Sequence, residues 1–319
     1  MLMRRIWIVN MLTLEESFRC ERALVFGIGG SGDIVGSIPT ARLLELHGVD
    51  VLLGGTTWEP VPKDSKPGPR SFDEILNLDK ISTTVGLATG ETRTHDGLEF
   101  TETYVARHYS TEVALIDMSK GAEGMRVGVE EACTDLDLDL VVGVDAGGDV
   151  LARGDELGLR SPVTDGFGLA TLETLSAKTL LGVFGYGSDG ELTLDELEAG
   201  IVRAAERDGL LGAWGLTRRV RDELEAVLET VETEASRLPV EAAQGAYGQK
   251  QIRGGDVSLR LTPPSTVTFY FDPAAVISTS KIVSLVNDSR SIDEATAALK
   301  EAGYRTEFEI ERDRLESHS

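Results

Sequence analysis

Three times the chain runs from an apolar stretch into one seven-residue phrase. The copies are Gly27-Ile-Gly-Gly-Ser-Gly-Asp33, Gly143-Val-Asp-Ala-Gly-Gly-Asp149 and Gly185-Tyr-Gly-Ser-Asp-Gly-Glu191. Each reads glycine, apolar, Gly or Asp, two variable positions, glycine, acid. Short apolar runs bounded by such turns have the pattern of fully buried strands. Helical patterns separate them, and alternation of this kind predicts a parallel sheet covered on both faces. The expected fold is therefore α/β, doubly wound and Rossmann-like, with a mostly parallel sheet. The phrases would then gather at the carboxyl-terminal edge, where open sheets of this type take ligands.

Ala23–Phe26 and Val51–Leu53 read as strands around a helix at Ala41–His47, which stops at Gly48 and takes Pro39 in its first turn. Pro60, Pro62, Pro67 and Pro69 exclude regular structure from the next loop, and Ser71 to Glu74 forms a capping box. Residues 83 to 108 read as an insertion with a strand or hairpin near Glu99–Val105. Further strands are expected at Val113–Asp117, Leu138–Val144 and Leu180–Phe184. Helices are expected at Gly121–Thr134, around Leu169–Leu175, at Leu194–Arg207 and at Arg218–Arg237. After Gly254-Gly255 the period changes to two, over Val257–Leu261 and Val267–Phe271, which predicts antiparallel edge strands or a hairpin. A helix capped by Ser291 and a strand at Thr306–Ile310 would close the chain. Residues 1–20 read as an N-terminal extension in which Met11 is an alternative start, and 21–319 as a single α/β domain.

Fifty-four acids against 31 bases leave a net charge of −23. That charge is screened in molar salt, where the Debye length is about 3 Å, and it predicts a halophilic, archaeal, cytoplasmic protein. It also argues against nucleic acid or an anionic membrane as partner. No apolar run approaches the ~18 residues that span a bilayer. Arg4-Arg5 before Ile6–Val9 matches a twin-arginine signal only in part, since no small-residue cleavage site follows. Cys20 and Cys133 have no metal-ligand spacing, and the four histidines are scattered, so a structural zinc is not expected.

Gly27, Gly29, Gly30, Ser31 and Gly32, between a strand and a helix, form a candidate cradle for an anionic or polar ligand, with Asp33 beside it. A plain turn with Asp33 as helix cap is the simpler alternative. NAD(P) is not expected. The second strand ends Leu53-Gly54-Gly55, with neither the acid nor the arginine that would bind the ribose, and no lysine makes the phrase a P-loop.

The second phrase carries more. Asp145 ends its strand, Gly147 and Gly148 free the turn, and Asp149, Asp155, Glu156 and Asp165 follow around Ser161-Pro162. Crowded carboxylates require a cation or shared protons, and oxygen-only ligands suit Mg²⁺. A solvated acidic loop would explain the acids but not the glycines. The third phrase runs into a capping box at Thr193 to Glu196 with Leu192 and Leu197 as staple, so a helix start accounts for the sequence from Leu192 onward and only Gly185 to Asp189 stay available for a ligand. Lys63, Lys66 and Arg70, with Trp58, lie in the proline-rich loop and could bring positive charge to the glycine-rich edge.

The GIGGSGD stretch, then VDAGGDVLARGDE followed by SPVTD, resembles the archaeal and bacterial family called domain of unknown function 1152, from about Arg22 onward. That resemblance implies an α/β fold and no assigned reaction. More distantly, Asp145-x-Gly-Gly-Asp149 with Glu156 is similar to the DGGNE string of D-glutamate cyclases, with Asp for Asn and a different spacing to Glu. The expectation is a small-molecule enzyme acting on an anionic, nucleotide- or sugar-phosphate-like metabolite. Asp145 and Asp149 would be catalytic, and Asp33, Asp145, Asp149 and Asp165 would hold a divalent metal. The same residues fit a metal-independent acid/base lyase or cyclase, or a non-catalytic binding protein. A homo-oligomer is compatible with all three.

Overall fold

Strand β1 (Arg22–Gly27) is buried on both faces, which is why it reads as an unbroken apolar run. Leu24 and Phe26 enter one apolar layer while Ala23 and Val25 enter the other. The computed structural model describes residues 13–317 apart from 31 and 62. The sequence-based expectations for the first twelve residues and for Ser31 therefore lie outside the described residues.

After α1 (Leu14–Ser17), β1 leads through α2 (Asp33–Leu46) to β2 (Asp50–Thr56). A hairpin follows, β3 (Ile75–Lys80) and β4 (Val85–Thr94), then α3 (Thr101–Tyr109), β5 (Val113–Ile116), α4 (Gly121–Asp135) and β6 (Leu140–Ala146). Next come α5 (Pro162–Leu172), β7 (Lys178–Phe184), α6 (Leu194–Ala205), β8 (Leu210–Gly215), α7 (Arg218–Val227) and α8 (Glu234–Ala243). The chain continues with β9 (Gly248–Ile252), β10 (Val257–Leu261), β11 (Val267–Phe271), α9 (Pro273–Ile277), α10 (Lys281–Val286), α11 (Ile292–Glu301) and α12 (Glu307–Ser317).

The main sheet has nine strands in the order β3-β4-β5-β2-β1-β6-β7-β11-β8. The run β5-β2-β1-β6-β7 is parallel, with Val25 opposite Val142 and Ala146 opposite Phe184. From β1 the chain first builds outward through β2 to β5, then returns to β6 on the other side. The carboxyl ends of β1 and β6 thus flank the switch point at which open α/β sheets form a crevice. The first two glycine phrases leave the sheet there.

Five local expectations need correction. Pro39 sits in the interior of α2, not its first turn. The hairpin beside residues 83–108 is β3–β4, and Thr101–Tyr109 is helical, so antiparallel strands occupy both edges of the sheet. The helix expected at 218–237 is broken into α7 and α8, and α8 starts only after Thr233. The two period-two runs do not pair with each other. β10 joins β9 in a separate two-stranded sheet, while β11 inserts antiparallel between β7 and β8. The last described element is a helix over Glu307–Ser317, where a strand was expected at 306–310. Among the described residues no helix is long and apolar enough to cross a membrane.

Candidate functional site

The three glycine phrases are hydrogen-bonded in series. The Ile28 N–H donates to the Val144 carbonyl at 3.0 Å, the Gly147 N–H to the Phe184 carbonyl at 2.8 Å, and the Gly187 N–H to the Gly147 carbonyl at 2.8 Å. The closeness requires glycine at specific positions. Gly147 has φ +137°, and a Cβ there would lie 2.2 Å from Cγ of Asp189. A Cβ on Gly29 would lie 2.6 Å from Oδ2 of Asp33 and 3.4 Å from Oδ1 of Asp165. Backbone and carboxylates share a space that no side chain can enter.

What fills that space is acid. Asp145 is 2% exposed, and Asp149, Asp165 and Asp189 are each 5% exposed. Glu191 is equally enclosed. Two overlapping groups, Asp145/Asp149/Asp165 and Asp149/Asp189/Glu191, place one oxygen per residue within 4.8 Å of one another. The Ser161 hydroxyl lies 2.6 Å from Asp149, 3.1 Å from Asp165 and 3.3 Å from Glu191. A hydroxyl has one proton to donate, so two of these three oxygens receive nothing from it. Oδ2 of Asp145, Oδ1 of Asp165 and Oδ2 of Asp189 are buried and receive no hydrogen bond from an N–H or hydroxyl group.

The electrostatics follow from that crowding. Burial, then the charges of Asp149 and Asp33, push Asp145 well above the usual carboxylate range. Burial and then Asp149 do the same to Asp165 and Asp189. Glu191 is pushed up to about 8, by burial and Asp149 against the opposing pull of Arg253. Burial would also raise Asp149, but hydrogen bonds from Asp165, Glu191, Ser161 and Asp189 outweigh it and hold Asp149 low. The crowding therefore favours the ionised form at Asp149 and the protonated form at its neighbours.

These acids form the floor of a cavity of about 760 Å³, within the size range of small-molecule sites. Trp58 and the backbone of Gly29, Gly30 and Gly32 line one side. Arg160, Arg253 and Arg314 bring positive charge to the same cavity. Arg253 donates to Glu191 at 2.7 Å from the turn between β9 and β10, and it holds a left-handed φ of +53°. Arg160 is shifted down from its ordinary value by burial and by the like charge of Arg253. Glu307, Ile310, Glu311 and Arg314 also line the cavity. Their spacing places them on one face of α12. Glu307 accepts the N–H groups of Val163 (3.2 Å) and Thr164 (2.8 Å) at the start of α5, and Glu311 accepts the Trp58 indole N–H at 3.2 Å.

Of the residues singled out in the sequence, Asp145, Asp149, Asp165 and Ser161 meet in this cluster. Asp33 stands beside it, outside both groups, and its Oδ2 accepts the Gly29 N–H at 3.0 Å. It does not cap α2 through its side chain, because the N-cap is Gly32. Gly27, Gly147 and Gly148 do not line the cavity. A Cβ on them would strike Asp33, Asp189 and Leu197 respectively, so their role is close packing behind the acids. Lys63 reaches the cavity wall but is paired with Glu59 at 2.8 Å. Lys66 pairs with Glu74, and Arg70 is buried against Asp64 and Asp96, so neither serves the cavity.

Asp155 pairs with Lys281, and Glu156 accepts the N–H groups of residues 153 to 155, so both face away from the cluster. The likeness to the DGGNE string loses its glutamate with them. In exchange the third phrase contributes Asp189 and Glu191. Its capping box is present at Thr193, and the turn just before that helix completes the floor with Asp189 and Glu191. For Glu191 the signal is the repetition itself, an acid at the seventh place in all three phrases, whereas Asp189 stands where the other two have Ser31 and Gly147 and carries no such signal.

The model of a family described as "Protein of unknown function (DUF1152)" matches residues 24–315 of the chain. No curated protein matches it.

Proposed function

We propose that this chain, which belongs to the DUF1152 family, is an enzyme that acts on a small anionic metabolite, of nucleotide- or sugar-phosphate type, with a divalent cation held by Asp145, Asp149 and Asp165. The observation that carries this reading is the set of buried carboxylate oxygens without partners, on Asp145, Asp165 and Asp189, at the floor of a cavity that also holds arginines. Buried acceptors are nearly always satisfied in native proteins, and an oxygen-only donor set fits Mg²⁺ or Mn²⁺. A cation there would supply Lewis acidity and a template for an anionic group. The protein's own residues would then hold that group, with Arg160 and Arg253 as donors and Trp58 as the apolar wall.

One observation favours a second reading. Asp149 is held low while its neighbours are held high, and such a divergence marks an acid and a base within one site. A lyase or cyclase using these carboxylates would need no metal. Melting of the metal-free protein in molar KCl, with Mg²⁺, Mn²⁺ and a panel of nucleotides and sugar phosphates, separates the readings. A cation should raise the midpoint, a phosphorylated compound should raise it further, and a chelator should abolish turnover. Turnover that survives chelation would establish the acid/base reading instead. A ligand shift without turnover would leave a binding protein.

A further inference from the structure

We propose that the floor is built for two divalent cations side by side, with Asp149 as the carboxylate they share. The inference rests on the metal reading above and goes beyond it in number and arrangement. Asp145 and Asp165 belong to one group, Asp189 and Glu191 to the other, and Asp149 to both. Two oxygens bound to one cation can lie no farther apart than twice the metal–oxygen distance, about 4.2 Å for Mg²⁺ and about 5 Å for Ca²⁺. Each group's oxygens lie within 4.8 Å of one another, inside the Ca²⁺ limit, and a smaller ion such as Mg²⁺ would draw them together by up to about 0.6 Å.

Each group also has its own vacant acceptor. Oδ2 of Asp145 and Oδ1 of Asp165 lack partners in the first, and Oδ2 of Asp189 lacks one in the second. One cation in the first group would leave Asp189 unsatisfied. Charge gives the same count. The two groups hold five carboxylates, and with Arg253 already on Glu191 one divalent ion would leave two of those negative charges unmatched. Two divalent ions supply four positive charges, and Arg253, already on Glu191 at 2.7 Å, supplies the fifth. Ser161 marks the seam. Its hydroxyl touches the shared Asp149, Asp165 of one group and Glu191 of the other. Two ions joined in this way could grip both oxygens of a displacement at one anionic centre.

The test is titration of the full-length, metal-stripped protein with Mn²⁺ alone in molar KCl, read by calorimetry and electron paramagnetic resonance. Two equivalents per chain with an exchange-coupled spectrum are expected. Asp189→Asn should leave one equivalent with the signal of an isolated ion, and Asp149→Asn should weaken both. One equivalent in the wild-type protein would overturn the paired centre and leave the single-metal reading standing. No binding would overturn both. Two uncoupled equivalents, with Asp149→Asn weakening only one of them, would overturn the sharing. The wild-type stoichiometry decides the question even if a variant fails to fold.

Discussion

Asp145→Asn should make the metal-free protein more stable while removing its response to Mg²⁺. Asp145 is 2% exposed, its Oδ2 has no partner, and Asp149, Asp33 and Asp189 all act on it with like charge. A buried polar atom left unsatisfied costs about 1–3 kcal/mol. Asn keeps the shape, carries no charge and turns an amide donor toward the neighbouring carboxylates, so most of that cost should be recovered. For a chain of 319 residues the unfolding entropy at the midpoint is about 0.7 kcal/mol per kelvin. The gain therefore corresponds to a rise of about 2–4 °C in metal-free melting. In the wild type, Mg²⁺ at a hundred times its Kd adds about 2.7 kcal/mol, or about 4 °C. The variant should lose most of that increment. The assay is thermal unfolding in molar KCl, with and without Mg²⁺, on both proteins. A variant that melts lower when metal-free yet retains the full Mg²⁺ increment would refute the reasoning, because Asp145 would then be a structural acceptor and not a strained ligand.

Gly147→Ala should cost several degrees of melting temperature and the cation response together, since φ is +137° and the new Cβ would lie 2.2 Å from Cγ of Asp189; a variant as stable as wild type would show that the turn has room to move. Glu307 is a stability switch near neutrality. Burial raises its carboxyl to about 7, well above the ordinary glutamate range, against hydrogen bonds from the backbone of α5. A raised acid contributes stability that is complete below about 4.5 and is lost as the pH rises through about 7. Urea unfolding between pH 5 and pH 8 should therefore show the wild type losing about 2.5 kcal/mol relative to Glu307→Gln, and parallel profiles would discount the effect. The net charge of −23 predicts that the unfolding midpoint rises steeply with KCl between about 0.1 and about 3 M, as charge repulsion is screened; a midpoint insensitive to KCl would rule out salt adaptation as the source of the acidity.

The elements most legible in the sequence were those whose pattern is repeated by their neighbours. β1, β2, β5, β6 and β7 are short apolar runs buried on both faces, and their alternation with helices implies a parallel sheet and its working edge. The less legible elements had local patterns that fit two structures. Thr306–Ile310 reads as a short strand, yet in α12 the spacing of Glu307, Ile310, Glu311 and Arg314 covers the cavity on one helical face. Val257–Leu261 and Val267–Phe271 share a period of two, but nothing local says that they belong to different sheets.

The site divides in the same way. Asp145 and Asp149 follow from the sequence because a strand end aims them at the sheet edge, and glycines at 147 and 148 mark a turn too tight for side chains. Asp155 and Glu156 looked equivalent to them along the chain, and only the path of the loop turned them toward Lys281 and their own backbone. Asp189 and Glu191 looked like the lead-in to a capped helix, and they do lie just before its N-cap Thr193. Only the bonding of Gly187 to Gly147 brought them against Asp149. Arg253 comes from a small sheet that the main fold does not require. The parallel sheet, its working edge and the acids at two of its strand ends could be read from the residues alone, because burial patterns and turn chemistry are local. Tertiary structure alone decided which acids share one buried space and which arginine answers them, since charges far apart in the chain meet only when the sheet brings its strand ends together.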